Sequence, residues 1–412
     1  MDILVLGNGF DLAHGLPTQY RDFLDFVKVI KQMVKGVHPN NIDWGKINSN
    51  VKQQMNMNMG NIRDNLYSQL DMWRDLVEDN FWIDYFIKNE GYIKENWIDF
   101  ESEISKVIQD FDNDLFQSGN TRRNIKDEMV QLSNDFLCER YEKYTMLVQS
   151  IDVCTNEEYE SITYEKIRDE LYRDLQKLIR ALEIYLVQYI EEQNIGLKVP
   201  EIEKLKPDHV LSFNYTDTYR KVYDENAHKK EDMYDFIHGK TDINHTIENC
   251  NMVLGIDEYL AEERRDKEIE FVSFKKYYQR IYKETGSRYL NWINEINVEN
   301  ENYNKSIAQL EEELKENKGM GKVGYNTRDQ LEKIRKNPPK HNVYIFGHSL
   351  DVTDRDILYT LICCKNVYTT IYYYNDEAHA QQIANLVKVI GQKELIYRTG
   401  GPSKTIEFIK QQ

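Results

Sequence analysis

The chain has 412 residues, a formal net charge of −17 at pH 7, and 30% charged against 41% hydrophobic residues. That length supports a large core and more than one lobe. An acid-rich surface disfavours broad nucleic-acid binding and anionic membranes, and no apolar run reaches the roughly 20 residues of a bilayer span.

Two textures alternate. Residues 1–33, 207–256 and 341–412 carry short β-rich runs, glycines and most of the histidines. Residues 34–206 and 257–340 are charged and helical in period. The expected organisation is one nucleotide-binding sheet domain made of the first three stretches, with helical insertions at 34–206 and 257–340. The first residues enter a strand and a glycine turn at once, so no secretory leader is expected there. Cys138, Cys154, Cys250, Cys363 and Cys364 form no C-x-x-C pair. They read as reduced thiols of a cytoplasmic protein, not as a disulfide frame or a zinc site.

In chain order, an apolar run at 2–6 predicts a strand, followed by Gly7-Asn8-Gly9 and then Gly15-Leu16-Pro17. Thr18 is the expected N-cap of a helix whose apolar face is Tyr20, Phe23, Leu24, Val27 and Ile30. Ile104, Val107, Ile108 and Phe111 predict another helix. The spacing from Leu171 to Ile190 predicts a long one that ends near Gly196. Strands are expected at 209–213, 235–237 and 252–254. Residues 308–317 read as a solvated helix face, with a break at 319–324. The last portion reads as strand 343–346, helix 354–363, strand 367–374, helix 376–391 and strand 395–397. Right-handed crossovers then make the fold α/β, with a parallel sheet and helices on both faces.

Four blocks fall at predicted strand ends, where open α/β sheets bind ligands. The first is Gly7-Asn8-Gly9, whose glycines let a backbone approach a diphosphate. The second is Ser212-Phe213-Asn214-Tyr215-Thr216-Asp217, where Asn214 suits a ribose hydroxyl or a water, or else caps a helix. The third is His238-Gly239, with an imidazole able to act as general base. His209, His228, His245 and His379 read as surface or packing histidines. The fourth runs from Gly347 through His348, Ser349 and Asp351 to Asp354. Here Ser349 suits a phosphate or ribose, and either aspartate suits a helix cap.

Taken together, the blocks resemble the AbiH family of bacterial phage-defence proteins. Its pattern is similar to Gly-Asn-Gly-Phe-Asp-Leu-x-x-Gly-Leu-Pro-Thr, Phe-Asn-Tyr-Thr, His-Gly and Gly-His-Ser-Leu-Asp. These stand at residues 7–18, 213–216, 238–239 and 347–351. A more distant resemblance is to sirtuin-like NAD-binding domains, which implies a Rossmann-like sheet. Gly7, Gly9, Gly15 and Pro17 sit at the offsets of the sirtuin first motif. Asn214 and His238 stand where that family has its catalytic Asn and His, and Gly347-His348-Ser349 resembles its later Gly-Thr-Ser. On this likeness Asn214 and His238 are catalytic. Gly7, Asn8, Gly9, Phe10, Asp11, Gly347, His348, Ser349 and Asp351 hold the nucleotide, with no metal and no required cofactor. The chain departs from the sirtuins at Asp11, at Asp217 and in lacking two C-x-x-C pairs, which argues against protein deacetylation.

The resemblance implies an abortive-infection effector that binds NAD as substrate or ligand and cleaves the nicotinamide–ribose bond. The partners it implies are NAD or a related nucleotide, a phage-derived trigger or partner protein, and a second copy of the chain, with no membrane. Two alternatives remain open. One is a nucleotide sensor without turnover. The other is a metal-dependent phosphodiesterase using Asp11, His238, His348, Asp351 and Asp354.

Overall fold

Six short β-branched and aromatic runs pair into one sheet: β1 (Asp2–Leu6), β2 (His209–Ser212), β3 (Tyr234–Phe236), β4 (His341–Phe346), β5 (Val367–Tyr373) and β6 (Ile406–Lys410). Every neighbouring pair is parallel, in the order β3-β2-β1-β4-β5-β6. The register places Val5 beside Leu211 on one side and Ile345 on the other. A computed structural model describes residues 1–45, 47, 51–52, 69–89, 99–117, 132–141, 164–191, 193, 195–224, 230–260, 264, 269–316 and 321–412. The fold is α/β, with a parallel sheet between helices and large helical additions.

The period-2 alternation of a strand feeds both faces of the sheet. Ile3 and Val5 of β1 enter one core with Leu211, Val343, Ile345 and Ile371. Leu4 and Leu6 enter the other with Val210, Phe346, Phe10 and Tyr219. The sheet helices are α1 (Asn8–Ala13), α2 (Thr218–Tyr223), α3 (Tyr289–Glu316), α4 (Gly321–Lys336), α5 (Arg355–Ile362), α6 (Asp376–Ile390) and α7 (Gln392–Thr399).

The chain divides into two compact units. One comprises Met1–Leu16, Asn194–Lys240 and Thr285–Gln412; the other comprises Pro17–Gln193 and Thr241–Glu284. Their boundaries differ from the expected 33/34, 206/207, 256/257 and 340/341. The first turns of α3 explain one difference, because Tyr289, Trp292, Ile293 and Ile296 are buried in a core of the sheet. The second unit is helical, with Tyr20–Val34, Phe81–Asn89, Phe100–Gln117 and Tyr164–Tyr185. It is packed largely by rings: Phe100 stacks on Tyr20 and Phe86, and Phe26 meets Trp73.

Four local expectations differ. The first long helix begins at Tyr20 with Gln19 as N-cap, not Thr18, because the Asp22 carboxylate accepts from the Gln19 N–H. Residues 252–254 are buried but not paired as a strand. The Gln279 side-chain amide meets both the N–H and the C=O of Leu254, supplying what a ladder neighbour would. Residues 395–397 lie in α7, whose turns are closed by Arg398–Glu394 and Thr399–Leu395 bonds. The last strand is β6, where Ile406-Glu407-Phe408 alternates with period 2. The expected break at 319–324 lies partly outside the described residues, and α4 begins at Gly321.

On α1, His14 ties the sheet unit together. Its Nδ1 meets Phe10 O at 2.7 Å and its Nε2 meets Tyr223 OH at 2.8 Å, while Tyr223 OH accepts from Val199 N–H. With Nδ1–H donating to the carbonyl, Nε2 accepts from the phenol, and the ring is neutral. Burial lowers the proton affinity of His14, and burial lowers that of His341 as well. Both rings then bind protons more weakly folded than unfolded. Their contribution is complete above the unfolded histidine value of about 6.5 and is lost as pH falls below it. Urea midpoints of the wild type are expected to drop between pH 7.5 and pH 5.5. His14→Gln lowers the pH 7.5 midpoint by the equivalent of about 1–2 kcal/mol and flattens the pH dependence. An equally steep drop in the variant overturns this account.

Candidate functional site

The site is built where the carboxyl ends of β1, β2, β3 and β4 meet. The strand order changes direction between β1 and β4, which is where open parallel sheets present ligand crevices. Here the two turns close on each other. Gly7 N–H donates to Phe346 O, Gly9 N–H to Gly347 O at 2.8 Å, and Phe10 N–H to Gly7 O. A Cβ on Gly7 would stand 2.6 Å from His348 Cα, and one on Gly347 would stand 2.2 Å from Phe10 N. Gly347 also has φ +70°, in the left-handed region. These glycines are required by backbone meeting backbone, and the amides of Gly7, Gly9 and Phe10 are engaged within the turns.

Beside this contact lies a buried cluster of two imidazoles on one carboxylate. His238 follows β3, and its Nε2 stands 3.3 Å from Asp354 Oδ1. His348 follows β4, and its Nε2 stands 3.5 Å from Asp354 Oδ2. The Leu350 N–H donates to His348 Nδ1 at 2.8 Å. That bond assigns the His348 proton to Nε2, facing the carboxylate. The Phe213 ring meets His348 at 4.3 Å and His238 at 5.6 Å between centroids, edge to face in both cases. His238, His348 and Asp354 are each 5–7% exposed.

Backbone devices hold each member. Gly286 fits against the backbone of Ile237, where a Cβ would stand 2.5 Å from Ile237 O, and this fixes the approach to His238. Gln382 of α6 donates to His348 O, and Asn385 donates to Ser349 O. Leu350 adopts φ +59° while fully buried, so the turn is strained. Asp351 caps the short turn at 352–354 by accepting from Thr353 N–H. Asp354 makes no side-chain cap for α5. Its carboxylate faces the histidines instead.

The end of β2 completes the site. Asn214 Nδ2 donates to Gly7 O at 3.1 Å, so this amide bridges two strand ends, and Asp217 stands at the N-cap of α2. Thr216 Oγ1 donates to Asp11 Oδ2 at 2.6 Å, and Thr218 Oγ1 donates on to Thr216. Asp217 pairs with Lys240. A pocket is lined by Asp11, Ser212, Asn214, Thr216 and Thr218 on its polar side and by Phe10, Tyr219 and Phe236 on its apolar side.

The structure thus gathers Gly7, Gly9, Asn214, His238, Gly347 and His348, with Asp11 and Phe10 at the pocket. Asn8 lies in the first turn of α1, Ser349 is exposed, and Asp351 serves as a cap. The two histidines share Asp354, which the sequence reading had placed as a cap or metal ligand. The signal was present: two aspartates follow Gly347-His348, and one cap needs only one of them. Among the other histidines, His209 stacks on Trp292, His379 stacks on Tyr373, and His228 lies outside the described residues.

Fold and site define an α/β protein with a six-stranded parallel sheet and a histidine–carboxylate cluster at the strand ends. The profile of AbiH, described as bacteriophage abortive infection AbiH, matches residues 3–374. The chain belongs to that family, and its role is in antiphage defence by abortive infection. No curated protein and no solved structure matches it. Among the described residues, no helix is long and apolar enough to cross a membrane.

Two glycines of positive φ separate close approach from backbone strain. Gly391→Ala has open space around its Cβ and meets only the strain of φ +88° with ψ 148°, a region almost confined to glycine, about 1–3 kcal/mol. Gly347→Ala adds a backbone clash and costs about 2–5 kcal/mol. Paired denaturation curves check the ordering; equal losses would remove the case for a backbone-to-backbone contact.

Proposed function

We propose that this chain binds NAD and hydrolyses its nicotinamide–ribose bond as the effector step of abortive infection. The observation that carries the reading is the pair of buried histidines, His238 and His348, on the one carboxylate of Asp354, next to Asn214 at the strand ends. The likeness of Gly7, Gly9, Asn214 and His238 to sirtuin-like motifs supports the choice of ligand. The hydroxyls, amide and carboxylate line a small neighbouring pocket of about the size of one water.

The reaction breaks the bond between the ribose anomeric carbon and the pyridinium nitrogen. The bonding pair leaves with nicotinamide, which becomes neutral. Water attacks the oxocarbenium-like carbon and gives up one proton, so the products are nicotinamide, ADP-ribose and a proton. His238 takes that proton or orients the water, and Asp354 fixes the ring and stabilises its charged form. Asn214 holds a ribose hydroxyl or the water. An anionic carboxylate near a cationic transition state lowers the barrier further. Such a toxic activity must be held inactive until infection, and a phage-derived trigger, or assembly with a second copy, would release it.

A second reading has its own observation. The amides of Gly7, Gly9 and Phe10 are already engaged, so the turn offers fewer donors to a diphosphate than an open glycine loop does. That favours a sensor that binds a nucleotide without turnover. The metal-dependent reading keeps His238, His348 and Asp354 but loses Asp351 to capping.

Purified protein incubated with NAD is expected to release nicotinamide, followed by mass spectrometry. His238→Ala lowers the rate by about 10²–10⁴-fold. Asp354→Asn also lowers it and shifts its pH dependence, while binding is retained. EDTA leaves the rate unchanged. Stoichiometric NAD binding without nicotinamide release from the triggered or untriggered protein selects the sensor instead.

A further inference from the structure

In the helical unit, three side chains of metal-ligating type converge. Glu183 lies on the helix Tyr164–Tyr185, and His245 and Cys250 lie on the following unit segment, which is irregular over residues 241–250. One ligand atom from each comes within 4.8 Å of the other two. Among the described residues this is the one place where such a trio forms. Glu183 is fully buried and Cys250 nearly so. His245 keeps 18% of its side chain exposed, which leaves an access route.

The loop is folded around the carboxylate. Glu183 Oε1 accepts from Asp242 N–H and stands 2.5 Å from His245 Nδ1. Arg180 bonds Glu183 Oε2 and also the carbonyls of Asp242 and Ile243. Cys250 N–H donates to Thr246 O, closing the turn that carries both loop donors. A guanidinium that orients a ligating carboxylate and its loop is the arrangement found behind metal ligands. Lys283 bonds Met252 O just past the end of the same segment.

We propose that Glu183, His245 and Cys250 bind a divalent zinc-like ion that staples the 241–250 loop to the helix. The donor set decides the class: one carboxylate, one imidazole and one thiol suit Zn²⁺, whereas Mg²⁺ and Ca²⁺ prefer oxygen donors only. Three protein ligands leave a fourth position for water. Binding moves the imidazole proton from Nδ1 to Nε2 and releases the Cys250 thiol proton, so Nδ1 and Sγ become donors. The carboxylate and thiolate together neutralise the ion. The proposal is independent of the NAD reading.

The test is metal content and uptake by the full chain. Elemental analysis, or Zn²⁺ titration after chelator treatment, is expected to give one ion per chain with release of about one proton. Co²⁺ in its place gives thiolate-to-metal charge-transfer absorption in the wild type. Cys250→Ser abolishes that absorption, and Cys250→Ser and His245→Ala each weaken affinity at least tenfold. Cys138→Ser, at an exposed thiol outside the trio, changes neither. Absence of uptake by the chelator-treated wild type overturns the proposal, and so does a Co²⁺ spectrum without the thiolate band. The spectrum is read on the wild type, so misfolding of a variant does not blur the result.

Discussion

Between the ends of β1 and β4 there is no space for a side chain. The turn at 7–9 lies on the turn at 347–348 at backbone distance, joined by Gly9 N–H to Gly347 O. The rest of the site depends on that closure. It fixes where Gly7 O stands, and Asn214 reaches it from β2. It also fixes the direction in which the chain leaves β4, which decides where His348 lies. Any residue larger than glycine at 7, 9 or 347 would separate the two turns, and both bridges depend on their spacing.

From that anchor the imidazoles are placed by strands rather than by loops. His238 follows β3 and His348 follows β4, and β2 and β1 lie between those strands in the sheet. A single carboxylate, at the start of α5, spans the distance to both rings. The Phe213 ring meets both imidazoles edge to face and gives the cluster an apolar wall. In such surroundings a carboxylate acts on an imidazole more strongly than it would in water. The Leu350 N–H on Nδ1 decides which nitrogen of His348 faces that carboxylate.

Much of the sheet was legible because its signals are local. The runs 2–6, 209–213 and 343–346 are apolar, short and followed by Gly or Asn, and each became a strand of the sheet. Residues 395–397 misled because three apolar residues carry no period. The Arg398–Glu394 pair, at helical spacing, was the better signal. Residues 252–254 misled because burial is not pairing, and the amide of Gln279 stands in for a neighbour strand. At the site, glycine and histidine positions could be read in one dimension. The role of Asp354 could not, since its partner His238 lies over a hundred residues away and only the sheet brings them together. The Glu183, His245 and Cys250 trio escaped for the same reason: no short spacing connects a mid-helix glutamate to a distant loop.

The local structure around Asp354 is less stable than it needs to be for folding alone. Helix α5 begins at Asp354 without a side-chain cap, a forfeit of roughly 1 kcal/mol. Leu350 is held at φ +59°, at a cost of about 1–2 kcal/mol for a residue with a Cβ. Asp351 shows that a cap was within reach of the same segment. A chain under selection for stability alone would let Asp354 cap its own helix and relax the turn at Leu350. Here the strained turn offers its Leu350 N–H to His348 Nδ1 and so turns Nε2 toward the carboxylate. Strain and a missing cap at one place, both directed at the same pair of imidazoles, are what a protein accepts when the geometry of those rings matters more than the stability of the loop.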